Sequence, residues 1–437
     1  MDKAELILKL REGLAEFPRW KTIRGLTRKI TDDLYDLFLA ESLAWDQERV
    51  RKFQEQRLRQ LLQHVYTNVP FYKSWFDSNS IAVDAVQTLD DLRLIPPVSK
   101  QDFKKFTKEY TTAANISSGR FSHRTTSGST SEPFSFYLDK RYAAFKNALL
   151  RRFFKLWGIP AGLPFVLVAD PDFRFPFPTA LRVSIFDFLK EPVSILSRMN
   201  NLGHSVVVGY ASGLHELAVQ SIKHNIYPKP AAVVSFAEQL AMSTRRLITK
   251  ALRCRIYNYY AATETGIIGF ECGGNEGFHI NEEALILEIL PYSDSSYGIG
   301  EVVVTSLVNE AMPFIRYRLG DIGNFINESC ACGLPRKKVA IQGRKSAIFK
   351  TKKRRIHEFE FNNVLQKFHP YIETFRISRV EPQRMVITVT GSGFNRKIGE
   401  KIISELKTRI DPELEYNIEY AAHPERSPHG KLRGAIM

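Results

Sequence analysis

The 437-residue sequence predicts an α/β protein: a large N-terminal layered α/β domain with a β-rich subdomain, followed by a small α+β C-terminal lobe. Three observations lead to this prediction. Short apolar runs alternate with amphipathic helical stretches in the middle of the chain, closely spaced β-rich segments follow Gly300, and a hairpin and helix come near the end. The length exceeds what one hydrophobic core usually holds, which favours division into domains.

The first hundred residues predict helices, because "WDQERVRKFQEQRLRQLLQHVYTNV" repeats Leu and Val at helical spacing and ends before Pro70. Further on, "HSVVVGYASGLHELAVQSI" and "KPAAVVSFAEQLAMSTRRLITKAL" each have the pattern of a strand, a turn and a helix. The next stretch, "CRIYNYYAATETGIIGF", opens with another strand. Strands that alternate with helices in this way predict a largely parallel sheet.

The style changes after Gly300, where "GEVVVTSLV", "PFIRYRLGDIGNFI" and "KVAIQGR" predict antiparallel strands. The last part of the chain contains a hairpin pattern, "TFRISRVEPQRMVITVT", and a helix pattern, "RKIGEKIISELKTRI". A boundary between Arg344 and Thr351 would make this part a separate lobe, so the predicted domains are 1–344 and 345–437.

Composition narrows the class of protein. A hydrophobic content of 44% excludes a disordered chain, and no apolar run reaches the roughly 18–20 residues needed to span a bilayer. The N-terminal stretch has no small-residue cleavage site after its leucines, so we expect a cytoplasmic protein without a signal peptide.

The charge balance favours polyanionic partners, because 62 basic residues outnumber 47 acidic ones and give a net charge of +15. Nucleotides, coenzyme A, an acidic polymer, nucleic acid and an anionic membrane surface all fit this charge. The densest basic run, Phe349–His357, is by default a solvated face. It contains only one aromatic residue, and nucleic acid is therefore not the partner we expect.

A short stretch starting at Thr125, "TTSGSTSEP", concentrates hydroxyl groups around one glycine. It fits a surface turn, and it also fits a loop that binds an anion through hydroxyl and amide donors. It is not the phosphate-binding loop with a second glycine followed by lysine. The candidate ligand-binding residues are Thr125, Thr126, Ser127, Gly128, Ser129, Thr130 and Ser131.

Three of the four cysteines and one histidine form a candidate metal site. Cys272 and His279 enclose "GGNEGF", and Cys330 and Cys332 lie either side of an alanine. Three thiols and an imidazole match the ligands of a tetrahedral structural zinc. The alternative is a set of buried or incidental thiols. Cys254 lies outside the set and is expected in the core.

Four stretches occur in the order found in the adenylate-forming superfamily of acyl-CoA synthetases and adenylation domains. "TTSGSTSEP" resembles the Ser/Thr/Gly phosphate loop of that family, and "YAATETG", "YRLGDIG" and "HGKLRGAI" resemble its later motifs. Within the superfamily the chain resembles the phenylacetate-CoA ligase branch and its capsule-biosynthesis relatives, through "LLQHVYTNVPFYKSWF", "GYASGLHELA" and the Cys/His set. Some members of that branch carry zinc.

The resemblance implies an ATP-dependent ligase that joins a carboxylate to the α-phosphate of ATP and then transfers the acyl group to a nucleophile. It also implies how the nucleotide is bound: the loop from Thr125 to Ser131 holds the β- and γ-phosphates, Thr263 contacts the α-phosphate, and Glu264 binds Mg²⁺. Tyr260 stacks on adenine, Asp321 accepts hydrogen bonds from the ribose hydroxyls, and Glu238 belongs to the same nucleotide site. Arg344 adds a charged contact, and Lys431, on the small mobile lobe, neutralises charge on the reacting groups.

The substrate that the resemblance implies is a small aryl or acyl carboxylic acid. The acceptor is coenzyme A or another thiol, an amine or a hydroxyl, including one on a carrier protein. Departures from the family pattern include Phe134 where many members have Lys, and Ala347 where the hinge between domains usually has Asp. The alternative hypothesis is a relative that has lost catalysis and acts as a polyanion-binding or assembly protein.

Overall fold

Strands and helices alternate in the middle of the chain as predicted, and the α/β fold class is confirmed. The structure is a computed structural model that describes residues 28–125, 134–171, 173, 175–274, 277–292, 298–345, 348–351, 355–369, 371–381, 383–425 and 435–436. Its contacts divide the chain into two compact units: unit 1 combines Met1–Gly158 with Tyr260–Ile341, and unit 2 combines Ile159–Tyr259 with Gln342–Met437. The predicted domain boundary near residue 345 stays a prediction.

The helices of unit 1 follow the predicted apolar spacing. The second of them begins at the N-cap Asp46, whose carboxylate accepts a hydrogen bond from the Arg49 amide at 2.8 Å. It ends before Pro70, which opens the next helix at a position where its missing N–H costs nothing. The helices are α1 (Arg28–Ser42), α2 (Gln47–Asn68), α3 (Pro70–Ser78), α4 (Lys100–Lys104), α5 (Lys108–Thr111) and α6 (Lys140–Leu156).

The strands of unit 1 are antiparallel, which confirms the prediction for the region after Gly300. A separate hairpin pairs Thr125 with Ser135 and leads directly into α6. The larger sheet carries a buried hydrophobic cluster that includes Val302, Val304, Leu285, Ile268 and Val339. The strands are β1 (Phe121–Thr125), β2 (Ser135–Asp139), β8 (Gly266–Phe270), β9 (Phe278–Ile280), β10 (Leu285–Pro291), β11 (Gly300–Ser306) and β12 (Tyr317–Ile326).

The first part of unit 2 is a parallel sheet with helices between its strands, as predicted. Every residue of the strands Val206–Tyr210 and Ala232–Phe236 is buried, and their near-continuous apolar sequence is typical of parallel strands covered on both faces. The elements are β3 (Phe165–Val168), β4 (Thr179–Val183), α7 (Ile185–Lys190), α8 (Pro192–Leu202), β5 (Val206–Tyr210), α9 (Ala211–His224), β6 (Ala232–Phe236), α10 (Met242–Leu252) and β7 (Arg255–Ala262), the last of which runs on into unit 1.

The second part of unit 2 has its own hydrophobic core, which includes Phe361, Ile387, Val389, Ile402 and Leu406. The predicted hairpin and helix are present, and a parallel strand and a short terminal strand extend the hairpin to four strands. The elements are β13 (Lys338–Arg344, which begins in unit 1), β14 (Ile348–Lys350), β15 (Arg355–His357), α11 (Glu358–Leu365), β16 (Thr374–Glu381), β17 (Arg384–Thr390), α12 (Arg396–Arg409), β18 (Glu415–Tyr420) and β19 (Ala435–Ile436).

The basic run from Phe349 to His357 falls on the pair β14 and β15, with residues 352–354 outside the described part of the chain. Within the described ranges, no helix combines the length and the apolar character needed to cross a membrane. The cytoplasmic location stays a prediction.

Candidate functional site

Two tyrosines hold two carboxylates by reciprocal contacts between distant parts of unit 1. Tyr260, at the end of β7, donates its hydroxyl to Asp321 Oδ2 at 2.5 Å, and Tyr317, at the start of β12, donates to Glu264 Oε1 at 3.3 Å. Tyr260 and Glu264 lie four residues apart in one segment, and Tyr317 and Asp321 lie four residues apart in the other. The contacts cross, because the tyrosine of each segment donates to the carboxylate of the other. Sequence reasoning had selected three of these four residues. It missed Tyr317.

Asp321 is buried and Tyr260 is partly buried, so their hydrogen bond is shielded from solvent. The Tyr260 ring also lies 5.8 Å from that of Phe278, measured between centroids. A carboxylate has two oxygens that together accept about four hydrogen bonds, so a contact with one tyrosine is compatible with accepting ribose hydroxyls. The aromatic ring and the carboxylate thus lie next to each other, and the nucleotide contacts predicted for them stay predictions.

The turn from Thr263 to Thr265 joins β7 to β8 and places Thr263 at the surface and Glu264 in a partly buried position. Gly266 follows it with φ of +81°, and a Cβ there would lie 1.4 Å from the Tyr142 hydroxyl oxygen. That hydroxyl donates to the Thr265 carbonyl at 3.0 Å. A glycine is therefore needed, because any side chain would push Tyr142 away from the turn that carries Glu264.

The position of Tyr317 is set by its backbone and by packing. Val98 pairs with this strand through Val98 N to Arg316 O at 3.1 Å and Arg318 N to Val98 O at 2.9 Å. The Tyr317 ring is 2% exposed and lies 4.7 Å from that of Phe314. The surrounding contacts therefore direct its hydroxyl towards Glu264.

The structure describes only some of the other residues that were predicted to bind the nucleotide. Thr125 is exposed at the end of β1, and Phe134, where the family often has lysine, is buried. The remaining loop residues, Thr126, Ser127, Gly128, Ser129, Thr130 and Ser131, lie outside the described residues, as do Lys431 and the hinge residue Ala347. The roles assigned to them stay predictions.

Glu238 and Arg344 belong to unit 2. The Glu238 carboxylate accepts hydrogen bonds from the Ser212 amide at 2.8 Å and the Ser212 hydroxyl at 3.2 Å, at the start of α9. A carboxylate in this position satisfies a helix amide that has no partner within the helix. Arg344 is exposed at the end of β13. The nucleotide contacts predicted for both residues stay predictions.

The structure brings together the four residues of the predicted metal site. The ligand atoms of Cys272, His279, Cys330 and Cys332 all lie within 4.8 Å of one another. Cys272 Sγ is 3.3 Å from Cys330 Sγ, and Cys332 Sγ is 3.3 Å from His279 Nε2. In a tetrahedral zinc site with bonds of about 2.3 Å, neighbouring sulfurs are about 3.8 Å apart, so the set fits zinc with small adjustments. The sulfur separation also excludes a disulfide between Cys272 and Cys330.

Strand pairing explains how residues so distant in sequence meet. His279 lies in β9 opposite Lys338 of β13, which places it beside the loop between β12 and β13 that carries Cys330 and Cys332. Gly277 has φ of +82°, and a Cβ there would lie 2.8 Å from the Val339 carbonyl oxygen. The glycine thus permits the close approach of β9 to β13.

The protonation states in the cluster favour metal binding at the imidazole. Burial, and then the positive charge of Lys338, lower the pKa of His279, so its ring is neutral near pH 7 and can coordinate a metal. Burial raises the pKa of Cys272 to about 12, while hydrogen bonds from the Cys332 backbone and neighbouring thiols outweigh burial and lower the pKa of Cys330. Metal binding would deprotonate the thiols and release protons.

A buried ionic network near these loops was also missed by sequence reasoning. The guanidinium of Arg152 forms an ion pair with Glu283 and donates to Asn281 Oδ1 at 2.7 Å. Arg336 lies 3.9 Å from the other oxygen of Glu283 and donates to the carbonyl of Ser42. Arg152, Glu283 and Arg336 are charged and do not follow the apolar periodicity of their segments, so their burial could not be predicted from the sequence.

No protein-family model matches the chain. In sequence it is 22% identical over 416 residues to the protein CapK of Staphylococcus aureus, which covers 88% of each chain. It is 24% identical over 401 residues to a phenylacetate-coenzyme A ligase of Thermus thermophilus, which covers 84% of this chain and 87% of the relative.

The fold matches that of a solved 2-hydroxyisobutyryl-CoA ligase in its postadenylation state with 2-HIB-AMP. The TM-score is 0.73 at 17% identity, over 90% of each chain. The same ligase has been solved in an open conformation with 2-HIB-AMP and CoA, at a TM-score of 0.61. The chain has the fold of the adenylate-forming ligases and is related in sequence to the phenylacetate-CoA ligase and CapK proteins, the branch that its motifs resemble.

Proposed function

We propose that this protein is an ATP-dependent adenylate-forming ligase that activates a small carboxylic acid and transfers its acyl group to coenzyme A. The crossed pairs Tyr260–Asp321 and Tyr317–Glu264 support the proposal, because each tyrosine orients one of the two carboxylates to which we assign the ribose and Mg²⁺. Relatives named as CoA ligases cover most of the chain and support the same reaction class.

In the first step, a carboxylate oxygen of the acid attacks the α-phosphorus of ATP, and the bond to the β-phosphate oxygen breaks to release pyrophosphate. Asp321 would orient the ribose, and the aromatic ring of Tyr260 would lie against the base. Glu264 would hold Mg²⁺, a hard cation that prefers oxygen ligands and offsets phosphate charge. Lys431 would neutralise charge on the reacting groups. Because both reactants are anions, positioning and charge compensation account for most of the catalysis.

In the second step, a thiolate attacks the acyl carbon and AMP leaves with the bonding electrons. Coenzyme A is the acceptor we propose, because several relatives are named as CoA ligases. A carrier-protein thiol, an amine or a hydroxyl are the other candidates, since Ala347 departs from the family hinge. A net charge of +15 suits a phosphorylated acceptor.

The test is carboxylate-dependent exchange of pyrophosphate into ATP across a panel of aryl and aliphatic acids. We expect exchange with at least one acid, and a loss of exchange in Lys431→Ala and Glu264→Gln. A thiol-consumption assay with coenzyme A then tests the acceptor. Folded protein that supports no exchange with any acid would contradict the proposal and favour the alternative of a polyanion-binding protein without catalysis.

We also propose that Cys272, His279, Cys330 and Cys332 hold one structural zinc ion. Four protein ligands leave no open position for water, which argues against a catalytic role. The ion would tie the segment after β8 to the loop before β13. Elemental analysis of purified protein should find one zinc per chain, and Cys254→Ser, outside the cluster, should retain it. Metal-free protein with an unchanged melting temperature would contradict this proposal.

A further inference from the structure

Arg316, the residue before β12, has a left-handed backbone conformation, with φ of +48°. A Cβ disfavours this conformation, and glycine is the residue that adopts it readily. Arg316 is followed directly by Tyr317, whose hydroxyl donates to Glu264 Oε1 at 3.3 Å. Strained backbone of this kind persists only where surrounding contacts hold it, and it is concentrated at functional sites.

The backbone of Arg316 is held on both sides. Its amide donates to the Thr305 hydroxyl oxygen at 3.0 Å, and its carbonyl accepts a hydrogen bond from the Val98 amide at 3.1 Å. Thr305 lies in β11 and is fully buried. A change of Arg316 to a negative φ would turn these groups away from their partners, and a buried amide without a partner is costly. The neighbouring strand and the segment around Val98 therefore hold the left-handed conformation.

The side chain of Arg316 makes a second set of contacts. Its Nε and Nη2 donate to the two oxygens of Glu288 in β10 at 3.0 and 2.9 Å, and its Nη1 donates to the Ile95 carbonyl at 2.5 Å. Arg316 is 5% exposed, and the Glu288 side chain is partly buried. A two-pronged contact with a carboxylate fixes the plane of the guanidinium. Because Ile95 and Val98 belong to one short segment, that segment contacts both the side chain and the backbone of Arg316.

These contacts determine where the Tyr317 hydroxyl lies. The Arg318 amide donates to the Val98 carbonyl at 2.9 Å, so the peptide groups on both sides of Tyr317 are hydrogen-bonded to Val98. The hydroxyl is 3.3 Å from Glu264 Oε1, close to the longest distance at which a side-chain hydrogen bond exists. A small rotation of Tyr317 would therefore release Glu264.

We propose that Arg316 is a positioning residue for the Mg²⁺ site. Its backbone and its ion pair with Glu288 hold Tyr317 in place, and Tyr317 orients the Glu264 carboxylate to which we assign Mg²⁺. Hydrogen-bonded partners of a metal-binding carboxylate fix its orientation, and their removal weakens metal binding about 10- to 100-fold. The inference rests on the proposed function and adds to it a residue that acts on the metal through Tyr317.

The experiment compares Arg316→Gly with Arg253→Gly. Arg253, which ends helix α10, is an exposed arginine with nearly the same backbone conformation, φ of +52°. Glycine relieves the backbone strain at both positions, but only Arg316→Gly also removes the contacts with Glu288 and Ile95. Isothermal titration calorimetry measures the dissociation constants of ATP with Mg²⁺, of ATP with EDTA, and of AMP, at a temperature where every variant is folded.

For Arg316→Gly we expect ATP to bind about tenfold more weakly in the presence of Mg²⁺, with the affinities for AMP and for ATP in EDTA unchanged. Tyr317→Phe should give the same pattern. Adding Arg316→Gly to Tyr317→Phe should weaken Mg²⁺-dependent ATP binding no further, because both substitutions act on one hydrogen bond. Arg253→Gly should match the wild type for all three ligands.

Other outcomes would overturn the inference in distinct ways. Equal weakening of all three ligands in Arg316→Gly would mean that the ion pair only stabilises the fold, and effects of Arg316→Gly and Tyr317→Phe that simply add would mean that Arg316 does not act through Tyr317. Wild-type protein that binds ATP equally with and without Mg²⁺ would also overturn it, whereas wild-type protein that binds no ATP would overturn the proposed function itself. If Arg316→Gly does not fold, Glu288→Gln at its partly buried position replaces it, and unchanged ATP affinity with Mg²⁺ there overturns the inference.

Discussion

Gly266→Ala should destabilise the protein and impair adenylation, because the absence of a side chain at Gly266 lets the Tyr142 hydroxyl pack against the turn that carries Glu264. Gly266 has φ of +81°, and an added Cβ would lie 1.4 Å from the Tyr142 hydroxyl oxygen and 2.7 Å from its ring carbon Cζ. The substitution thus imposes both a disfavoured backbone conformation and a steric overlap at one position.

The magnitude follows from two contributions. A left-handed conformation costs a residue with a Cβ about 1–2 kcal/mol. To reach the 3.0 Å that a Cβ contact requires, the hydroxyl must retreat by about 1.6 Å, which breaks its 3.0 Å hydrogen bond to the buried Thr265 carbonyl. Leaving that group without a partner costs about 1–3 kcal/mol. The total is about 2–5 kcal/mol, or a fall in melting temperature of roughly 4–20 °C for a unit of this size.

The assay combines thermal unfolding with pyrophosphate exchange at a temperature where every variant is folded. Gly298→Ala is the matched control, because Gly298 also has a positive φ of 63° but no atom within 4 Å of an added Cβ. It should show the backbone contribution alone. We expect exchange in Gly266→Ala to fall by about tenfold or more, since a displacement of about 1 Å at a catalytic group has effects of this order.

A double-mutant cycle with Tyr142→Phe separates the contributions. Removing the hydroxyl removes the 1.4 Å overlap, so Gly266→Ala should cost less when combined with Tyr142→Phe than it does in the wild type. If Gly266→Ala had the same melting temperature as Gly298→Ala and an unchanged exchange rate, the overlap with Tyr142 would not exist in solution and the reasoning would be refuted.

Three further predictions concern other parts of unit 1. Cys330→Ser should lose most of the bound zinc by elemental analysis and lower the melting temperature; full zinc occupancy would contradict the four-ligand site. Asp321→Asn should weaken ATP and AMP about equally, by about 10- to 100-fold in calorimetry, because both carry the ribose; a loss confined to ATP would contradict the ribose contact. Although burial favours a raised pKa for Glu283, the charges of Arg152 and Arg336 outweigh it and lower the pKa. The stability from this ion pair should be fully present above the pKa of about 4.3 that Glu283 has in the unfolded chain, and it should be lost as pH falls towards the lower pKa of the folded state. Melting temperatures between about pH 5 and 3 should therefore fall more steeply in the wild type than in Glu283→Gln.

Local patterns in the sequence were sufficient for the architecture. The continuous apolar runs at Val206–Tyr210 and Ala232–Phe236 predicted buried parallel strands, and both segments are strands buried along their whole length. The helix over Gln47–Asn68 and the hairpin of β16 and β17 were predicted in the same way. These predictions succeeded because the periodicity of apolar residues reports directly which face of an element is buried.

The identity of many candidate site residues was predicted from sequence motifs, whereas the contacts between these residues became known only from the fold. Tyr260, Glu264 and Asp321 were selected from motif order, and the four zinc-ligand candidates from residue type. The pairing of β9 with β13 was needed to show that His279 faces the cysteine loop.

The sequence by itself determined the order of elements, the fold class and the chemical identity of the candidate groups, because these depend on neighbours along the chain. Only the tertiary structure decided that Tyr317 holds Glu264, that Gly266 faces Tyr142, and that His279 lies beside Cys332. Each of these facts joins residues that are far apart in the sequence or lie in different elements. Whether a tyrosine or lysine is a surface residue or part of a binding site depends on what packs against it, and packing is set by the fold as a whole.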